Sequence, residues 1–163
     1  MTECKNIFAI LEELKENAKQ VDDDKLKDVE KLITEANRIF IGGAGRSGFA
    51  ARGFSNRLMH LGYTVYFVGE PTTPSIQEGD LLIVGSGSGN TASLVSNAKK
   101  AKEQGAKVAT LTMFPENKIG SMADAVIRVP GVTEKVEGKG QESVQASGSS
   151  FEELCWITYD AMV

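Results

Sequence analysis

Leu81-Leu82-Ile83-Val84-Gly85-Ser86-Gly87-Ser88-Gly89-Asn90-Thr91 is the stretch on which the reading of this 163-residue chain turns. Four consecutive apolar residues without polar alternation describe a strand buried on both faces. The glycines that follow let backbone approach a ligand closely, and Ser86, Ser88 and Thr91 offer three hydroxyls within a few residues. A helix predicted from about Thr91 to Gln104, closed by Gly105 as its C-cap, aims its unpaired N–H groups and positive dipole end at the same spot. Hydroxyls, amides and a helix dipole suit a phosphate monoester. The glycines are not followed by a Lys-Ser/Thr pair, so this is not a Walker A loop. The plainer alternative is a helix start capped by Ser or Thr with no ligand at all.

Moving back along the chain, Arg38-Ile39-Phe40-Ile41 reads as another buried strand and runs into Gly42-Gly43-Ala44-Gly45-Arg46-Ser47-Gly48. Gly43, Gly45 and Gly48 fit G-x-G-x-x-G between strand and helix, and Glu70 stands about twenty residues beyond the loop, as a ribose-binding acid would. Taken alone, that is a dinucleotide fingerprint, or merely a tight turn needing positive φ. A tight turn gives no role to Arg46 and Ser47, a cation and a hydroxyl at the helix start. A dinucleotide fold has no need of the second hydroxyl-rich loop. Two such loops favour a phosphorylated small molecule.

The rest of the chain supplies the scaffold. Ile7, Phe8, Leu11, Leu14 and Ala18 recur at helical spacing, as do Leu26, Val29, Leu32, Ile33 and Ala36, with Asp22-Asp23-Asp24 between them as an N-cap source. This predicts an N-terminal helical hairpin. A helix from about Ser47 to Leu61, a strand over Thr64–Val68, the strand Leu81–Val84, the helix from Thr91, a strand over Lys107–Met113, a short helix at Ile119–Ala123 and a strand over Ala125–Val129 then alternate. The 131–149 segment, rich in Gly, Ser, Glu, Lys and Gln, reads as a mobile loop before a last helix over Phe151–Val163. The expected fold class is α/β: a three-layer, doubly wound sheet of five parallel strands with helices on both faces, forming one domain over residues 1–163. Ligands of such sheets bind outside the carboxyl ends of the strands, where both glycine loops fall.

Composition narrows the partners. A net charge of −4 gives no field for nucleic acid, so an anionic ligand must be captured by local geometry. Cys4 and Cys155 show no CxxC spacing, which fits a reducing cytoplasm and offers no zinc site. A single histidine, His60, and scattered acids make no metal-ligand cluster, and no redox cofactor is implied. No apolar run approaches a membrane span, and the N-terminus lacks a signal-peptide core, so no membrane partner is expected.

The order strand–GxGxS–helix, then strand–SxSGxT–helix, resembles the sugar isomerase (SIS) domain. Arg57-Leu58-Met59-His60-Leu61-Gly62-Tyr63, Val68-Gly69-Glu70-Pro71-Thr72-Thr73-Pro74 and Gly148-Ser149-Ser150-Phe151-Glu152-Glu153 extend the likeness to the 6-phospho-3-hexuloisomerases. The likeness covers residues from about 7 to 163, although Ser143-Val144-Gln145-Ala146-Ser147 replaces the family's Gln-Pro-Met approach to the glycine. The resemblance implies conversion of D-arabino-3-hexulose 6-phosphate to fructose 6-phosphate through a cis-enediolate, the second step of ribulose monophosphate formaldehyde fixation. It also implies a homotetramer with active sites shared between subunits. Ser47, Ser86, Ser88 and Thr91 are the expected phosphate ligands, and Gly45, Thr72 and Thr73 the expected sugar pocket. Glu152 matches the family's candidate base, with the alternative that Glu152 or Glu153 merely complements the helix dipole. Arg46 is the electrostatic partner of phosphate or enediolate. His60 is a candidate acid, in its own site or a neighbour's, or else a packed residue. Thr72 and Thr73 have the alternative of a simple turn between prolines. The rivals are another SIS isomerase, such as the arabinose 5-phosphate or heptose enzymes, and a non-catalytic sugar-phosphate sensor.

Overall fold

A computed structural model describes residues 3–133 and 143–163. Two helices open the chain, α1 (Lys5–Ala18) and α2 (Asp23–Glu35). Asp22 caps α2 by accepting from the Asp24 amide at 3.0 Å. Strand β1 (Ile39–Gly43), helix α3 (Gly45–His60) and strand β2 (Val65–Phe67) follow, then β3 (Leu81–Gly85), α4 (Ala92–Glu103), β4 (Lys107–Thr112), a 3₁₀ turn (Gly120–Met122), β5 (Ala125–Arg128) and α5 (Ser149–Ala161). Helix α3 begins two residues earlier than its pattern suggests, because Gly45 at φ +59° already starts the turn. The 131–149 loop of the sequence reading lies in part, over 134–142, outside the described residues.

The five strands form one parallel sheet in the order β2-β1-β3-β4-β5. Odd and even strand residues face opposite sides, so each strand feeds two cores. Ile39, Ile41, Leu81, Ile83, Leu111 and Ile127 pack beneath α2, α3 and α5. Phe40, Leu82, Val84 and Val108 pack against Leu94, Val95, Ala98 and Ala101 of α4. The expected three layers are present. The N-terminal pair differs in one respect from a self-packed hairpin. Across the tight turn between them, α1 docks chiefly along α5, while α2 lies against β5. The α2 stripe of Leu26, Val29 and Ile33 is buried in the main core, whereas α1 buries Leu14 there and leaves Ile7, Phe8 and Leu11 exposed.

From β1 the chain crosses outward through α3 to β2; from β3 it crosses the other way through α4 to β4. Neighbouring strands β1 and β3 therefore send their following loops apart and open a crevice at their carboxyl ends. Gly43 and Gly85 sit side by side there in register.

Candidate active site

Three helices start at that crevice. Their N-cap residues are Ala44 for α3, Thr91 for α4 and Gly148 for α5, and none makes a side-chain capping hydrogen bond. The Thr91 hydroxyl thus does not cap its own helix. Uncapped first-turn N–H groups carry partial positive charge, and three helices present theirs to one space. That space is a cavity of about 370 Å³ bounded by Gly45, Arg46 and Ser47, by Gly85–Ser88 and Thr91, and by Gly148 and Glu152.

The β3–α4 loop holds its shape through its own serines. The Gly89 amide donates to Ser86 Oγ at 3.1 Å and the Asn90 amide to Ser88 Oγ at 3.3 Å. Gly85 is glycine for a packing reason: a Cβ there would come within 2.6 Å of the Tyr159 hydroxyl. Gly43 and Gly48 meet just as closely, with a Cβ on Gly43 falling 2.8 Å from Gly48 Cα, so α3 can leave β1 tightly. Gly43 and Gly48 have this structural task whatever the ligand.

Arg46 and Glu152 face each other across the cavity rim, Nε to Oε2 at 2.6 Å, with the carboxylate 19% exposed and the guanidinium 64%. Glu152 is the one carboxylate lining the cavity among the described residues; Glu153 turns instead toward an apolar groove with Ile10, Leu11, Phe49 and Trp156. Beneath the site, burial pushes the Cys155 thiol well above its ordinary value, and the nearby Glu152 charge adds to this. Burial does the same to the Tyr159 phenol, with Cys155 contributing. Neither is a nucleophile or base near neutral pH.

Of the residues singled out in the sequence, Gly45, Arg46, Ser47, Ser86, Ser88, Thr91 and Glu152 share the cavity. Three do not. His60 ends α3, exposed, about 20 Å along the helix from Ser47 at the usual rise per residue. Thr72 and Thr73 follow β2, which is the edge strand beyond β1 and so one strand away from the switch point. Thr73 Oγ1 donates to the Phe67 carbonyl at 2.8 Å and closes a turn, while Thr72 is exposed. Both threonines thus follow β2 outside the lining of this cavity, with Thr73 closing a turn. Glu70, the would-be ribose acid, is ion-paired with Arg52, whose guanidinium also lies 3.9 Å over the Phe67 ring. Leu94, Met113 and Phe151 supply an apolar wall that the sequence reading missed. Met113 carried a usable signal, since it immediately follows the carboxyl end of β4.

Among the described residues there is no group of His, Cys, Asp and Glu able to hold a metal ion. No described helix is long and apolar enough to cross a membrane.

Known proteins are similar to this chain in sequence and in fold. The SIS domain model matches residues 32–154. The 3-hexulose-6-phosphate isomerase of Bacillus subtilis is 41% identical over 157 residues, spanning 96% of this chain and 85% of that protein. Its Mycobacterium gastri counterpart is 38% identical over 157 residues, spanning 96% and 78%. Among solved structures, a Methanococcus jannaschii protein with an inferred 3-hexulose-6-phosphate isomerase function superposes with a TM-score of 0.79. It is 36% identical over 98% of this chain and 87% of that one.

Proposed function

The chain belongs to the SIS domain family, and from that premise we propose that it is a 3-hexulose-6-phosphate isomerase. It converts D-arabino-3-hexulose 6-phosphate to fructose 6-phosphate. Its relatives of that name match nearly the whole chain at about 40% identity. The observation that carries the chemistry is one carboxylate among the described residues, Glu152, in a cavity whose other polar groups are hydroxyls, amides and the Arg46 guanidinium.

The reaction moves a carbonyl from C3 to C2. Glu152 takes the C2 proton, leaving a cis-enediolate across C2 and C3. The proton on the C2 hydroxyl passes to the C3 oxygen, and Glu152 returns its proton to C3. One base on one face suffices because donor and acceptor carbons are adjacent. Arg46, already on the carboxylate, stabilises the enediolate charge as Glu152 becomes neutral and needs its partner less. Ser47, Ser86, Ser88 and Thr91 bind the phosphate with the helix amides, and Gly45 leaves room for the sugar. Neither metal nor redox cofactor enters this scheme.

The proposed assembly is a homotetramer whose subunits share active sites. An exposed apolar face formed by Ile7, Phe8, Leu11, Phe49, Trp156 and Ile157 supports it, since the groove within this face reaches the cavity rim at Arg46 and Glu152. His60, outside its own cavity, is placed as the residue a neighbour's site receives. We assign a cytoplasmic location, in keeping with two cysteines that remain thiols, Cys4 exposed and Cys155 buried, and a role in formaldehyde fixation.

The test is fructose 6-phosphate formation from D-arabino-3-hexulose 6-phosphate. Turnover in the chain and its loss in Glu152→Gln is the expected result. Binding of the phosphosugar without turnover would make the protein a sensor. Turnover of arabinose 5-phosphate instead would move it to another isomerase class.

A further inference from the structure

The phosphate loop is fastened from outside the cavity by two buried residues that do not line it. Thr112, fully buried at the end of β4, donates from Oγ1 to the Gly87 carbonyl at 3.0 Å. The same oxygen accepts from Asn117 Nδ2 at 2.7 Å and from the Phe114 amide at 3.3 Å. A hydroxyl has one proton and two lone pairs, so every valence of this one is used. Asn117 is 8% exposed, and its Oδ1 accepts from the Ile119 and Gly120 amides at 3.0 and 2.8 Å. Those two donors fix which end of the amide is oxygen. A reversed amide would set its NH₂ against two N–H groups.

The bonds therefore run in one direction, from backbone amides to Asn117, from Asn117 to Thr112, and from Thr112 to Gly87. The Gly87 carbonyl also accepts the Met113 amide at 3.1 Å, which holds it toward β4. The described peptide bonds are trans, so the Ser88 N–H on the same peptide unit points the opposite way. Away from β4 in this sheet is toward the loop after β1, across the cavity mouth. Asn117 also occupies the space beneath Gly89, where any Cβ would collide with its amide, and the Gly89 carbonyl is held by the Ile119 amide at 3.3 Å.

We propose that Thr112 and Asn117 are positioning residues that hold the Ser88 N–H in line to donate to the substrate phosphate. This rests on the reading of the β3–α4 loop as the phosphate site. A preset donor costs no reorganisation when the dianion arrives, which strengthens binding without touching the reacting carbons.

Steady-state kinetics of the full chain, with inorganic phosphate as a competitive inhibitor, test it. Thr112→Val keeps the shape and removes the hydroxyl. The Michaelis constant and the phosphate inhibition constant should both rise about tenfold, with kcat changed less than about threefold. Thr112→Ser, which loses a buried methyl but keeps the hydroxyl, should restore both constants to within about twofold. Because Thr112→Val also loses stability, Val29→Ala, a core truncation on the buried face of α2, serves as the control. It should lower the melting temperature and leave both constants unchanged. The positioning role is overturned if Thr112→Val lowers kcat alone, if Thr112→Ser fails to rescue, or if Val29→Ala moves the constants equally. Thr91→Val reports on the phosphate site itself. If it weakens phosphate inhibition while Thr112→Val does not, the site stands and the positioning role falls. If neither does, both readings fall together.

Discussion

Arg46 and Glu152 are 106 positions apart in the chain and meet at 2.6 Å, each in the first turn of a helix whose N-terminus opens on the same cavity. The pair holds the proposed base beside a cation before substrate arrives, yet leaves the guanidinium largely in solvent and able to turn toward an anion. Removing the base should therefore stop chemistry and spare binding. Glu152→Gln is expected to lower kcat by about 10²–10⁴-fold with a Michaelis constant within a few-fold, the usual range for loss of a general base. Coupled assay of fructose 6-phosphate checks it. A kcat within threefold of the parent would move the proton transfer to another group.

The glycines of the first loop differ in why they are glycines. Gly43 is closed against the backbone of Gly48, which has no flexible end to move aside, whereas Gly45 has open space and only its positive φ to protect. Gly43→Ala should cost about 2 kcal/mol and Gly45→Ala about 1 kcal/mol. In a chain of this length that corresponds to roughly 4–8 °C and 2–4 °C in melting temperature. Equal losses would mean that the close approach at Gly43 is relieved by a shift of α3.

Tyr159 is fully buried, stacked on Phe54 at 4.6 Å between ring centroids, and its hydroxyl has no hydrogen-bond partner among the described residues. Phenylalanine would keep the stacking and remove the unsatisfied oxygen. Tyr159→Phe should hold or raise the melting temperature, by about 2–4 °C for each kcal/mol recovered. A drop in thermal scanning would show that the hydroxyl is bonded in solution.

Asp124 titrates below its ordinary value of 3.8. Burial alone would raise it, but the Lys102 hydrogen bond at 2.8 Å, the Val108 amide and Lys107 outweigh that. A depressed carboxylate contributes stability that is present above its unfolded pKa and lost as pH falls through its folded one. Asp124→Asn should therefore melt lower than the parent at neutral pH. The gap should stay constant down to about pH 5 and close below the unfolded value. A gap that persists at pH 2 would assign the loss to packing rather than charge.

Much of this molecule was legible from local pattern. The buried strands, the helices between them, the two glycine loops at the strand ends and the parallel doubly wound class all follow from periodicity and turn chemistry, which act within a few residues. The same pattern put Ser86, Ser88 and Thr91 together, because they lie on one loop. Residues brought together from distant segments were not legible in this way. Nothing in Glu152-Glu153 says which carboxylate meets Arg46; the angle at which α5 docks on α3 and α1 turns the first into the cavity and the second toward the apolar groove. Nor does local pattern say that strand order puts β2, and with it Thr72 and Thr73, at the sheet edge, or that helix length carries His60 to the far end of α3 from the cavity. The Thr112–Asn117 support was invisible because a threonine ending a strand and an asparagine in the turn beyond it look like any strand end. Periodicity sets which face of an element is buried, but only the packing of one element on another sets which side chains meet.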